Sequence, residues 1–363
     1  MSIWSIIIAI LILALCVFIH ELGHFLSAVV LGIPVEEFSL GFGHKLWQRK
    51  FKGIKFSIRI VPLGGYVRYC LDDSDVVGKE ETDESLEEAI AAAGDKSYIN
   101  QPAWKRFISA FFGPFMNVLL AFGVAVAIYV MIGNPVSVPR VAQYSTDSAA
   151  YAAGVEAGDI IVAVNGTEVS YDTQGLQTVS DAIASSQGNA VTLTMERDGE
   201  RVDLSVTPVY DEDNGRYMIG IYFGTAYSPC TAWQAVTRAG DYMVRFTTGM
   251  YQSLGSLFTS GQKITDQLTG PVGTVQIISE QVEKGGFETL QILMMISLNL
   301  GLLNLMPIPG LDGFKLVLLL LEMIRRKPVP PKYEAVVSLA GLVLLFGLMI
   351  FITFSDVAKL IGG

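Results

Sequence analysis

Apolar positions along this chain gather into long runs instead of recurring every second or every third to fourth residue. Three runs, at residues 3–19, 107–132 and 335–354, carry almost no charge. A fourth, residues 290–323, is interrupted by Asn304, Pro307, Pro309 and Asp312. A helix crosses a bilayer with about 20 apolar residues, so the pattern predicts four transmembrane helices, the third of them broken. The first run has no basic residue before Lys45 and no small-residue cleavage site, which marks it as a retained span and not a removed leader.

Between the runs the periodicity changes. Residues 35–40, 56–61 and 66–69 read as short strands, with Gly41, Gly43, Gly64 and Gly65 at turns. Residues 72–97 are acidic and Ala-rich, compatible with a short helix in a loop. From residue 138 to about 223 the pattern is that of a small α+β domain. There Ile160-Ile-Val-Ala-Val164 enters an Asn165-Gly166 turn, and two alternating runs flank Asp198-Gly199. Between them residues 179–185 suit a short helix, while residues 233–268, with scattered aromatics, suit a membrane-surface or capping segment.

Charge supplies the orientation. Residues 41–71 hold Lys45, Arg49, Lys50, Lys52, Lys55, Arg59 and Arg68 with no acid, and the link after the third run holds Arg325, Arg326, Lys327 and Lys332. Residues 134–227 are acidic. Basic loops belong on the cytoplasmic side, so both termini and the α+β domain are expected outside and the active region toward the cytoplasm, in a multi-pass cell-membrane protein. The net charge of −10 gives no sign of nucleic-acid binding. Cys16, Cys70 and Cys230 lack CxxC spacing and form neither a disulfide framework nor a metal site.

The resulting organisation has seven parts. Residues 1–30 form the first transmembrane helix, 31–103 a cytoplasmic β-rich and acidic loop, and 104–132 the second helix. Residues 133–225 form the extracytoplasmic domain and 226–287 a membrane-proximal segment on the same side. Residues 288–325 form the third, broken helix, and 326–363 the fourth with the C-terminus.

The chemistry is concentrated at His20-Glu21-Leu22-Gly23-His24. Residues i and i+4 share a helix face, so His20 and His24 can hold one zinc ion, with Glu21 placed to take a proton from an attacking water. A buried polar cluster is the bland alternative. A charged residue near a span centre costs roughly 2.5–3.5 kcal/mol on insertion scales, and a metal offsets that cost where a bare cluster does not. A catalytic zinc takes a third protein ligand, and Asp312 is the other acid well inside a candidate span. His20 and Asn304 both lie about 25 Å into spans that start outside, so charge-derived topology brings the two motifs to one depth. Asn304 is the candidate for binding substrate or steering a neighbouring group.

These residues resemble the site-2 protease family, and more closely the bacterial zinc metalloproteases of regulated intramembrane proteolysis with one PDZ domain. The likeness rests on HELGH, on Asn304-x-x-Pro307-x-x-x-x-Asp312-Gly313, on Gly41-Phe42-Gly43 and on Pro62-Leu63-Gly64-Gly65-Tyr66-Val67. It extends to Gly113-Pro114-x-x-Asn117 and Gly270-Pro271-Val272-Gly273. The resemblance implies that His20, His24 and Asp312 ligate zinc, that Glu21 activates water and that Asn304 assists. It implies a mainly α membrane protein: four transmembrane helices, a membrane-associated β-rich segment and an extracytoplasmic PDZ-like domain that includes residues 153–159. It also implies substrates that are single-span membrane proteins, such as anti-sigma factors or signal-peptide remnants, cut in the bilayer after a site-1 protease has acted. His44 stands where the family often has Pro, and Gly310 and Phe314 are less usual neighbours of the Asp-Gly pair; these departures bear on the substrate groove and leave ligands and base intact. The competing expectation is a non-catalytic membrane adaptor that binds protein tails through the PDZ-like domain, and a degraded HExxH would favour it. A transporter is disfavoured because the spans show no inverted repeat.

Overall fold

The computed structural model describes residues 2–70, 94, 97–212, 214–256 and 270–362. The acidic stretch expected at 72–97 therefore lies outside the described residues, apart from Gly94 and Ser97, as does 257–268 of the expected surface segment. The chain divides into two compact units, Met1–Ile128 with Val236–Gly363, and Tyr129–Ala235.

The first unit is built from helices. Four of them are long and apolar enough to cross a membrane: Ile3–Leu31, Ala103–Ile132, Gly286–Asn304 and Val336–Phe354. Helix α1 (Ile3–Leu31) starts where the Ser2 side chain accepts the Ser5 N–H, and it stops at Gly32, whose φ of 71° few other residues adopt cheaply. Helix α2 (Ala103–Ile132) contains Pro114, which has no N–H to give the Ala110 carbonyl. Apolar surface gives little drive for helix association in lipid, so close packing of small residues decides which faces meet. A Cβ on Gly23 of α1 would lie 2.2 Å from the Phe112 carbonyl oxygen of α2. The backbones meet there because that side chain is missing.

A strand pair follows α1. Three short strands with turns at the glycines are not what forms. Two long strands, β1 (Val35–Phe51) and β2 (Ile54–Tyr69), make one antiparallel hairpin whose tip is Lys52-Gly53, both at positive φ. Gly41, Gly43, Gly64 and Gly65 lie inside the strands, where the register slips. Their role is close approach. A Cβ at Gly41 would sit 2.6 Å from the Val61 carbonyl oxygen, and one at Gly65 would sit 2.8 Å from Cγ of Glu21. Inside the hairpin, Glu37 accepts from Ser57 and Arg59, and Arg59 also donates to Ser39, Gly43 and Tyr66.

The interrupted fourth run is two helices, and the same run of residues explains the break. Residues 305–311 contain two prolines without N–H groups and Gly310 at φ 95°. The loop is held against the last helix: a Cβ on Gly341 would lie 2.2 Å from the Pro309 carbonyl oxygen. In this unit, residues 232–256 and 271–284 are also helical, more regular than the scattered aromatics suggest. From Pro271 to Lys284 the helix packs Ile278 against Ala9, Ile12 and Ile292.

In the second unit, β3 (Asn134–Tyr144), β4 (Ile160–Val164), β6 (Val191–Arg197), β7 (Glu200–Val206) and β10 (Ile221–Ser228) form one sheet in the order β10-β3-β4-β6-β7. A short β5 (Thr167–Glu168) pairs with β4, and β8 (Val209–Asp211) pairs with β9 (Arg216–Met218). Asn165-Gly166 and Asp198-Gly199 each place two successive residues at positive φ, as two-residue hairpin turns require. Helices α3 (Ala149–Ala152) and α4 (Thr173–Ser185) complete the unit. The core is Ile161, Val164, Val179, Val191, Leu193, Met195 and Val206, each side chain contributing about 1.5–3 kcal/mol by burial. Arg197 pairs in bidentate fashion with buried Asp159 at 2.8 Å, and also reaches Glu156 and the Gly154 carbonyl. Asp159 accepts the Glu156 N–H as well.

Candidate metal centre and active site

Both histidines of the α1 motif point to the same side, are 8% exposed and face α2. The third residue arrives from the helix break. With α5 (Ala232–Ser256), α6 (Pro271–Lys284), α7 (Gly286–Asn304), α8 (Asp312–Arg325) and α9 (Pro331–Gly362), Asp312 is the first residue of α8. Its Oδ2 lies 3.0 Å from His20 Nε2 and 3.4 Å from His24 Nε2, and the two Nε2 atoms are 3.2 Å apart. Tetrahedral zinc with bonds near 2 Å keeps its ligand atoms roughly 3.3 Å apart. The three distances fit that ion, and the donor set of two imidazoles and one carboxylate is one that zinc takes. Among the described residues this is the group of His, Cys, Asp and Glu side chains able to hold a metal.

Next to these atoms, each histidine has a partner on α2. His24 Nδ1 is 2.8 Å from the Ser109 carbonyl oxygen, so Nδ1 carries the proton and Nε2 offers its lone pair inward. His20 Nδ1 is 3.3 Å from the amide of Asn117. Between the two partners, Gly113 lies bare against the His24 ring. Ser109, Gly113 and Asn117 are four residues apart and form one stripe along α2, antiparallel to the stripe of His20 and His24 along α1.

Glu21 borders a cavity of about 300 Å³ that it shares with His20, His24, Asp312 and Asn304. Val67 of β2 lines the same cavity, and Gly65 lets that strand lie against Glu21. Asn304 is the last residue of α7 and lines the cavity across the break from Asp312. The five residues singled out from sequence thus border one space.

Sequence reasoning passed over other residues there. Lys315, one turn after Asp312, lines the same cavity, with Nζ 4.7 Å from the centre of the Tyr98 ring. Tyr69 stacks on Tyr98 at 4.5 Å and meets Ser109 Oγ at 3.0 Å. Behind them Arg106 of α2 pairs with Glu322 of α8 at 2.5 Å, both largely buried, and so anchors the helix that carries Asp312. Lys315 and Glu322 inside one apolar run, and Arg106 at the edge of another, were the available signals, because charges at such positions need partners. His44 is exposed on β1, away from this centre. In the second unit, Ile183, Arg216, Met218, Ile219 and Phe223 line a groove of about 190 Å³.

The sequence profile of Peptidase family M50 matches residues 8–348. A relative from Agrobacterium fabrum that carries a zinc-metalloprotease name is 33% identical, over 97% of this chain and 95% of its own. The regulator of sigma-W protease RasP of Bacillus subtilis is 28% identical over 98% of this chain and 99% of its own. The zinc metalloprotease RasP of Shouchella clausii is 29% identical over 96% and 97%. Of solved structures, the PDZ domain of the SdrC-like protein from Listeria innocua is similar over 24% of this chain and 92% of that one, at 24% identity and a TM-score of 0.21. A His-His-Asp set beside a glutamate, with both histidines buried on a helix apolar enough to cross a membrane, and a family match along nearly the whole length lead to one conclusion: the chain belongs to Peptidase family M50, the site-2 proteases, and is an intramembrane zinc metalloprotease.

Proposed function

We propose that His20, His24 and Asp312 hold the zinc ion, that Glu21 is the general base and that Asn304 binds the substrate backbone. The observation that carries this reading is the meeting of His20 Nε2, His24 Nε2 and Asp312 Oδ2 within 3.0–3.4 Å, beside a cavity that Glu21 also borders. When bound, zinc acidifies water and polarises the scissile carbonyl. Glu21 takes the proton from the attacking water and returns it to the leaving amine. Asn304, with an amide that both donates and accepts, holds the peptide across the cavity.

The substrate is a transmembrane segment of a single-span protein, of the anti-sigma or signal-peptide-remnant kind, already shortened outside by a site-1 protease. A helical peptide bond is shielded by its own hydrogen bonds, so the segment unwinds before it is cut. The β1–β2 hairpin supports this step, since a two-stranded sheet has edges open to an added strand. The Lys- and Arg-rich hairpin and the Arg325-Arg326-Lys327 turn support a cytoplasmic placement of the active region. Both termini and the second unit are then extracytoplasmic, with the groove beside Ile183 and Phe223 reading peptide ends or excluding bulky proteins.

The test is metal analysis of the detergent-purified protein together with cleavage of a model transmembrane substrate, by wild type and Glu21→Gln. One zinc per chain in both, with cleavage by wild type alone, is expected. A wild type without zinc overturns the reading.

A further inference from the structure

Two polar contacts meet the outer nitrogens of the histidines, and only one of them has an assigned direction. At His24 the partner is a backbone carbonyl, which can only accept. At His20 the partner is the side-chain amide of Asn117, which has a donating and an accepting end. As placed, Nδ2 faces His20 Nδ1, and Asn117 Oδ1 is a buried atom with no hydrogen-bond partner. Rotating the amide by 180° exchanges the two ends without moving the rest of the side chain. The contact with His20 decides between the two orientations.

That contact depends on what His20 does with its other nitrogen. Its Nε2 faces Asp312 Oδ2 and His24 Nε2. If Nε2 gives its lone pair to a cation, Nδ1 carries the proton and is a donor. A donor facing the amide NH2 makes no bond; a donor facing Oδ1 does. The surroundings keep Asn117 in place to provide it. The residue is fully buried, Ser297 Oγ donates to its backbone carbonyl at 2.8 Å, and Gly301 of α7 leaves its side no slack, since a Cβ there would meet Asn117 Cβ at 3.3 Å.

We propose that Asn117 is a positioning residue of the metal centre, its side-chain carbonyl accepting Nδ1–H of His20 and so holding Nε2 on the ion. The proposal rests on the reading of His20, His24 and Asp312 as ligands. It makes the α2 stripe a matched cradle: Ser109 orients one imidazole, Asn117 the other, and Gly113 leaves room between them. Carbonyl and amide partners behind a ligating imidazole typically contribute 10–100-fold in metal affinity.

The test measures zinc affinity by chelator competition on the full-length protein in detergent, alongside thermal unfolding of the metal-free form. Asn117→Leu, which keeps the volume and loses the acceptor, is expected to weaken zinc 10–100-fold with little change in metal-free unfolding. Asn117→Ala is the second acceptor-free variant, should leucine prevent folding. Asn117→Asp offers an oxygen in either orientation and is expected to keep at least wild-type affinity. Wild-type affinity in the leucine or alanine variant overturns the proposal, and so does an equal loss in the aspartate variant, which marks a role in packing alone. If wild type itself holds no zinc, the ligand reading falls and this inference with it; zinc held by wild type and by Asn117→Leu alike removes only the inference.

Discussion

Gly113 lies against the imidazole of His24 so closely that a Cβ on it would be 2.2 Å from Nε2 and 2.4 Å from Cε1. A helix normally presents side chains to its neighbour, and here α2 presents bare backbone to Nε2 of His24 on α1. The proposed metal centre thus depends on a residue with no chemistry of its own. Gly113→Ala is expected to tilt the His24 ring off the shared centre and to lower zinc affinity at least as much as losing a partner behind a ligand, about 10–100-fold. Chelator competition with the purified variant checks this.

The proposed ligands and base separate by what their loss removes. Glu21→Gln keeps its volume and loses the proton acceptor, so cleavage should fall about 10²–10⁴-fold while zinc per chain stays at the wild-type value. Asp312→Ala removes a proposed ligand and should lose both. Metal content and turnover measured on the same preparations give the contrast.

Arg106 and Glu322 tie α2 to α8 with side chains only 7% and 16% exposed. Breaking a buried pair by removing one partner leaves an uncompensated charge, at a cost of about 3–5 kcal/mol. Arg106→Leu is therefore expected to be more destabilising than Arg106→Leu combined with Glu322→Leu. Unfolding of wild type, Arg106→Leu, Glu322→Leu and the double variant in detergent forms the cycle.

The second unit has its own pH dependence. Burial alone would raise the Asp159 carboxyl, but hydrogen bonds from Arg197 and the Glu156 N–H, with the Arg197 charge, hold it below its ordinary 3.8. A carboxyl lowered in the folded state stabilises fully above its ordinary value, and that contribution is lost as pH falls through the folded value. Unfolding of this unit should be insensitive to pH above about 5 at this group and should ease progressively below 3.8. Arg197→Ala should weaken that dependence, leaving the Glu156 N–H as the remaining hydrogen bond to the carboxyl, and cost roughly 2–3 kcal/mol at neutral pH. Asp159 is 1% exposed at its side chain, so the loss is felt in full.

Local rules carried much of this protein. Run length alone marks the apolar helices, two residues of the right kind mark each hairpin turn at 165–166 and 198–199, and Pro307, Pro309 and Gly310 mark the helix break. The spacing of His20 and His24 places them on one face wherever the helix goes. The glycines at 41, 43, 64 and 65 misled as turn signals, because glycine serves equally where another backbone passes close, and which use applies depends on a partner far along the chain.

By itself, then, the sequence determined the apolar helices, the hairpin turns at 165–166 and 198–199 and the two halves of the donor set, since each depends on residues within a few positions of one another. Only the tertiary structure decided that Asp312 Oδ2 comes within 3.4 Å of both imidazoles, and that Ser109, Gly113 and Asn117 line up behind them. Those relationships join residues 85 to almost 300 positions apart. They arise where small residues allow helix backbones to touch, which no local pattern specifies.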